Sequence, residues 1–266
     1  MRSWLVIALI LLMAATSLAD RRQFFAFDNG LIDIAGLDEK AALLKRLGYD
    51  GIAWRPNGKT AEMLAALDKH GLKMFATYVT LLPDLESCPI PNRVRSEIEA
   101  LKGRDTIVWL MINGKSSDEI VVPAIQRIAD IAHANGLDVA LYPHANCYTD
   151  TVETNARLIE LAERNNVKAS FNLHHFLAQH PADELESKLK AVAPTLALVS
   201  INGADIKGHA IKALGDGTYP VERVMRVLDE INYDGSVGLQ CYNVNKPDKD
   251  HLKQSIKYWK SELNKD

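Results

Sequence analysis

Leu47-Gly48-Tyr49-Asp50-Gly51-Ile52-Ala53-Trp54 ends a helical pattern and opens a strand-like one within a few residues. A helical period runs from Asp38 to Leu47, and Gly48 can close it because glycine readily takes the left-handed conformation after a last helical turn. The short apolar run Gly51–Trp54 follows at once. The same punctuation recurs at His70-Gly71, Asn135-Gly136 and Asn232-Tyr233-Asp234-Gly235. Working outward, strand-like runs fall at Phe24–Phe27, Lys73–Thr80, Ile107–Ile112, Val139–Tyr142, Ala169–Leu173, Leu196–Ile201 and Val237–Tyr242. Between them lie helical periods at Ala61–His70, Arg93–Leu101, Ile120–Ala134, Val152–Arg164, Glu184–Val192 and Val221–Ile231, and Leu252–Leu263 follows the last run. Ser117 and Thr149 suit helix N-caps. The strand runs are continuously apolar, the pattern of a parallel sheet covered on both faces. Eight such units in residues 20–266 predict an α/β fold, a single (β/α)8 barrel domain. A doubly wound open sheet is the alternative, disfavoured because no Gly-rich phosphate loop follows the first strand.

Residues 1–19 read differently. Arg2, the apolar Trp4–Met13 and the small-x-small Ser17-Leu18-Ala19 form a secretory signal pattern. The expected mature chain begins at Asp20, is periplasmic or secreted, and has no stable membrane insertion once the signal is removed. With 31 Lys and Arg against 34 Asp and Glu, the net charge of −3 argues against a nucleic-acid partner, which calls for a basic face. The three cysteines, Cys88, Cys147 and Cys241, permit at most one internal bridge, with Cys88–Cys147 weighed against free thiols.

In such a barrel, chemistry gathers at the C-terminal ends of the strands. Four consecutive strand ends are polar there: Tyr142-Pro143-His144-Ala145-Asn146, Asn172-Leu173-His174-His175, Ser200-Ile201-Asn202-Gly203-Ala204-Asp205, and Gln240-Cys241-Tyr242-Asn243. Amides, phenols and imidazoles converging in one pocket suit a sugar, whose hydroxyls need both donors and acceptors.

These segments carry a resemblance. Leu47–Ile52, Asn172-x-x-His175 and Asn232–Gly235 resemble the sugar isomerase/epimerase family of xylose-isomerase-like TIM barrels across essentially the whole mature region. Phe171–Leu177 and Ser200–Asp205 are most similar to its secreted bacterial branch. The resemblance implies isomerase or epimerase chemistry, in which a proton leaves a carbon beside a carbonyl and returns to the same or an adjacent carbon. It also implies a divalent metal held by Glu, Asp, His and Glu. The corresponding positions here are Tyr142, Asn172, Asn202 and Gln240, four neutral side chains in place of three carboxylates and an imidazole. No metal or other cofactor is therefore expected, because a hard cation needs anionic oxygen or imidazole ligands. A rearranged site in which His144, His175 and Asp205 hold Mn or Zn is the alternative.

With the carboxylates replaced, His144, His175, His174 and Asp205 are the candidate catalytic residues, since imidazole can move protons near neutral pH. Trp54, Arg55, Lys115, Tyr142, Asn172, Asn202, Gln240 and Tyr242 are the candidate substrate-binding residues. Lys207, His209 and Lys212, on a glycine-rich stretch after the seventh strand, are candidates for a lid. His70, His133, His180 and His251 read as solvated. The rival functions are a non-catalytic carbohydrate-binding barrel and a keto-glycoside lyase, which shares the first proton abstraction.

Overall fold

The computed structural model describes residues 22–82 and 90–264. Strands β1 (Phe24–Phe27), β2 (Gly51–Trp54), β3 (Lys73–Leu81), β4 (Ile107–Ile112), β5 (Val139–Leu141), β6 (Val167–Asn172), β7 (Leu196–Ile201) and β8 (Val237–Leu239) close into a barrel. All neighbours are parallel, and β8 pairs back onto β1. The open-sheet alternative is thereby excluded. The helices between them are α1 (Leu37–Leu47), α2 (Thr60–His70), α3 (Asn92–Ala100), α4 (Asp118–Ala134), α5 (Val152–Ala162), α6 (Leu173–Gln179), α7 (Leu185–Val192), α8 (Glu222–Glu230) and α9 (Asp248–Tyr258). The expected signal, residues 1–19, and Cys88 lie outside the described residues. Cys147 and Cys241 are buried free thiols.

Two differences from the expected elements have local causes. α6 begins where the sixth strand was expected to continue, because the Asn172 side chain accepts a hydrogen bond from the His175 amide and caps a helix there. α5 is capped by Thr151, whose hydroxyl accepts from the Thr154 amide, rather than by Thr149. Thr149 instead accepts from the Ile112 amide and ties the β5–α5 loop to β4. Ser117 does occupy the N-cap of α4, with no side-chain cap bond.

Successive strand residues face opposite sides of the wall. Phe24, Ile52, Trp54, Val108, Leu110, Val139, Leu141, Val199 and Leu239 pack outward in the layer under the helices. Phe25, Phe27, Ala53, Phe75, Trp109, Ala140, Tyr142 and Leu198 fill the barrel. Phe25 pairs in register with Gly51 on one side and Gly238 on the other, two positions without side chains. Its ring stacks on Phe75 at 4.8 Å between centroids and lies beside Phe27 at 6.1 Å. Phe27 meets Trp109 edge-on at 5.3 Å, and Trp109 stacks on Tyr142 at 3.9 Å. The barrel axis is thus a column of aromatic rings, and the last ring, Tyr142, is the floor of the mouth.

A Cβ at Gly238 would stand 2.6 Å from two atoms of the Phe25 ring and 2.8 Å from Phe27. Gly238→Ala should therefore destabilise the fold by about 1–3 kcal/mol, the usual overpacking penalty. Urea denaturation of the two proteins measures this difference.

Candidate functional site

The site is built from strand ends that continue the inward-facing rows of β5, β6 and β8. Tyr142 follows Ala140, Asn172 follows Ser170 and Gln240 follows Gly238 at two-residue spacing. The Asn172 Nδ2 donates to the Tyr142 hydroxyl at 3.2 Å and to Ser200 Oγ at 2.8 Å. Gln240 Nε2 also donates to Tyr142, at 3.4 Å. The Tyr142 phenol therefore receives two donors and keeps its own proton for an acceptor above it. Burial pushes its pKa far above the ordinary tyrosine value, so it stays neutral.

These bonds also bear on the metal that the resemblance implies. Gln240 Oε1 already accepts from Asn29 Nδ2 and from the Cys241 and Tyr242 amides, and Asn172 Oδ1 accepts from His175. Asn202 is buried, its Nδ2 donating to the neighbouring Gly203 carbonyl and its Oδ1 unpartnered. A neutral phenol, two amide oxygens already committed to N–H donors and the single free amide oxygen of Asn202 supply no anionic ligand and do not fit a hard divalent cation. The rearranged alternative does not assemble either: no group of three or more His, Cys, Asp or Glu side chains able to hold a metal occurs among the described residues.

Above the Tyr142 floor lies a cavity of about 450 Å³ whose lining includes His144, His174, His175, Asn29, Arg55 and Gln240. The ring centroids of His144 and His175 are 4.0 Å apart, and those of His174 and His175 are 4.9 Å apart. His175 is placed by the Asn172 cap at the first turn of α6. His144 lies in a tight turn in which its carbonyl accepts from the Cys147 amide and Asn146 adopts the left-handed φ of 70°. The main chain of Ala145, between them, fixes both imidazoles. His144 Nδ1 lies 2.9 Å from the Ala145 carbonyl oxygen, which can only accept, so Nδ1 carries the proton and Nε2 keeps its lone pair. The Ala145 amide can only donate, and it reaches His175 Nδ1 at 3.3 Å, so His175 carries its proton on Nε2. One imidazole is a proton acceptor at its free nitrogen and the other a donor.

Burial holds both in the neutral form. It lowers the His144 pKa despite the Ala145 bond, and it lowers His174 as well. His175 is pushed down to about 2, by burial first and then by its two histidine neighbours.

Other candidate residues fall elsewhere. Trp54 has the outward parity of Ile52; it is buried beneath α2 with its indole N–H donating to Thr60 Oγ1, so it does not reach the cavity. Lys115 is exposed and does not line it. Asp205 is tied to Lys212 at 2.6 Å and to the Thr218 amide, which removes both residues from the roles expected of them. The stretch after β7 is pinned by paired Gly203–Lys212 backbone bonds and by Leu214 bonding to Ser255 Oγ. Gly203 and Gly217 serve close backbone approach, since a Cβ on either would lie 2.0 Å from a carbonyl oxygen. Ile211 from this stretch reaches the cavity wall, and His209 is close enough to His174 to disfavour its charged form. Arg55 does line the cavity, paired with buried Asp28 at 2.9 Å. Burial outweighs that cation and raises the Asp28 pKa above the ordinary carboxylate value. Tyr242 stands 63% exposed at the rim. Of the histidines read as solvated, His133 is exposed and His70 pairs with Asp38, whereas His180 is largely covered between Glu153 and Glu184. His251 is buried beside Asp248.

Asn29, Tyr78 and Met111 line the cavity without having been singled out in the sequence. Asn29 had the same signal as the others, a polar residue directly after an apolar strand, but on the first strand. Its Oδ1 is buried without a described partner.

Fold and site together define a (β/α)8 barrel with a polar, imidazole-rich mouth. The chain matches the family model described as xylose isomerase-like TIM barrel over residues 41–262, and it belongs to that family. No curated protein sequence matches it. Among solved structures it is similar to D-psicose 3-epimerase from Clostridium cellulolyticum H10, with 15% identity and a TM-score of 0.71, covering 92% of this chain and 100% of that one. It is also similar to 3-keto-D-glucoside 4-epimerase from E. coli, with 17% identity and a TM-score of 0.72, covering 90% and 98%. A third is the probable 3-DHS dehydratase of petrobactin synthesis from Bacillus anthracis, with 14% identity and a TM-score of 0.72, covering 89% and 98%.

The lowered imidazole pKa values have a consequence for stability. An unfolded histidine takes a proton near pH 6.5, whereas folded His175 resists it until about pH 2. The unfolded chain therefore binds more protons as pH falls through this window, and stability present above pH 6.5 is lost below it, by at most about 1.4 kcal/mol per pH unit for this group. His175→Gln should flatten that dependence between pH 6.5 and 4. Denaturation midpoints of both proteins across the window test it.

Proposed function

We propose that the protein is an exported sugar isomerase or epimerase that removes the proton beside a sugar carbonyl without the family's divalent metal. The observation that carries this reading is the main chain of Ala145, which sets His144 and His175 in opposite tautomers side by side on the wall of one cavity. His144 Nε2 takes the proton from the carbon next to the carbonyl. The C–H electron pair becomes the double bond of an enediol(ate), and the carbonyl oxygen takes up the negative charge. His175 Nε2–H hydrogen-bonds that oxygen. A neutral imidazole serves here because its N–H stabilises the developing charge without giving up its proton in the resting state. His144 then returns the proton to the neighbouring carbon, for isomerisation; in epimerisation a solvent water delivers a proton to the opposite face of the first carbon, and His144 gives up its own to the hydroxide left behind. The Tyr142 hydroxyl, with its proton uncommitted, donates to a further sugar oxygen. Arg55, Gln240 and Tyr242 complete the sugar-binding wall.

A second reading has its own support. No carboxylate lines the cavity among the described residues, and all four positions that carry ligands in metal-dependent relatives are neutral. A carbohydrate-binding barrel without turnover would look the same. A lyase acting on a keto-glycoside would share the first step and then expel the leaving group.

Solvent deuterium exchange into D-fructose, D-psicose and 3-keto-glucosides separates these readings. The expected result is exchange that survives dialysis against EDTA and falls about 10²- to 10⁴-fold in His144→Gln, the scale of general base catalysis. The base must be neutral to act, and burial places its pKa below the ordinary 6.5. Activity should therefore hold a plateau above that value and drop only as the pH goes beneath it. Exchange that persists undiminished in His144→Gln would assign the base elsewhere, and bound sugar with no exchange would favour the binding barrel. Release of an aglycone from the 3-keto-glucosides would favour the lyase.

Export rests on the pattern at Arg2 and Ser17-Leu18-Ala19. N-terminal sequencing of protein from the native host's periplasmic or culture fraction should begin at Asp20; recovery of Met1 from cytosol would contradict it.

A further inference from the structure

The histidine cavity is not isolated. Arg55, Tyr78 and Met111 line both it and a second cavity of about 470 Å³ on the β2–β3–α3 side. The two chambers therefore lie side by side, with these three side chains standing between them. Each is within the range of a small-molecule pocket, and a single sugar ring fills only one of them.

The second chamber has a distinct character. Val79, Val94 and Pro56 give it apolar walls, while Thr80, Arg93 and Glu97 give it a polar edge. Arg93 and Glu97 sit one turn apart on α3, yet no ion pair joins them among the described residues. The Glu97 Oε2 is buried without a described partner, an acceptor still waiting for a donor. Buried acceptors left empty are costly, and a ligand hydroxyl donating to this one would remove that cost. Apolar walls with donors and acceptors at their edge match a pyranose ring, which has apolar C–H faces and a hydroxyl periphery.

We infer that the natural ligand is a two-ring sugar, a glycoside whose carbonyl-bearing ring sits at His144 and His175 and whose second ring occupies the chamber bounded by Thr80, Val94, Arg93 and Glu97. This rests on the sugar reading of the histidine cavity and adds the size and linkage class of the ligand. Arg55 stands at the junction, held by Asp28 and half exposed, where it can hydrogen-bond the oxygen joining the rings.

Calorimetric or saturation-transfer binding of D-fructose is compared with that of the glucosyl-fructoses turanose, maltulose and isomaltulose, which present the same ketose with a second ring at three linkages. The expected result is at least one two-ring ketose bound tenfold or more tighter than fructose. Thr80→Trp, which fills the second chamber from an exposed strand end, should cut that preference by tenfold or more. Arg93→Ala should reduce it a few-fold. Melting temperatures of both variants confirm that they fold. Equal affinity for one and two rings, a preference undiminished in Thr80→Trp, or no binding of either class overturns the inference. Failure of the isomerase reading is a different result: the two-ring preference is present and no deuterium enters any sugar.

Discussion

A face-to-face stack of two rings, Trp109 against Tyr142, connects everything below the mouth of the barrel to everything above it. Below, the indole closes a column that begins at Phe25 and Phe75, and that column fits only because Gly51 and Gly238 leave room on either side of Phe25. The indole N–H donates to Ser170 Oγ, which in turn donates to the Leu141 carbonyl, so the ring is held against the strand that bears Tyr142. Above, the phenol collects donors from Asn172 and Gln240 and so gathers three strand ends around one oxygen. Aromatic contacts of this kind contribute about 0.5–1.5 kcal/mol beyond area burial. Here they also fix the height of the pocket floor.

The floor of the mouth is held by amides rather than by charges. Asn172 and Gln240 each act at both ends, donating nitrogen to Tyr142 and accepting backbone N–H groups through oxygen. Such a network is self-satisfied and needs no cation to hold it together. Three imidazoles stand beside it on the cavity wall, and burial keeps them uncharged.

Most of the fold was legible because its signals are local and repeated. The glycine stops after Leu47 and His70 and the continuously apolar runs gave strand positions that agree with the structure to within two or three residues. Tyr142, Gln240, His144 and His175 were legible as polar residues following apolar strands, and they do share a cavity wall. Trp54 was misplaced because adjacency to a strand end was weighed without parity: Ile52 and Trp54 face the helices, and Ala53 faces the barrel. Asp205 and Lys212 looked like free functional charges because a loop's backbone pairing, which brings them together, leaves no periodic trace in sequence. The glycines nearby looked like hinges, yet two of them mark places where main chain packs on main chain.

The opposed tautomers of His144 and His175 depend on a carbonyl and an amide of residue 145, not on its methyl group. Every amino acid supplies that carbonyl, and every one except proline supplies that amide. The instruction that makes one histidine an acceptor and the other a donor is thus written in main chain. A substitution at position 145 that keeps the backbone path, proline excepted, therefore leaves that instruction in place.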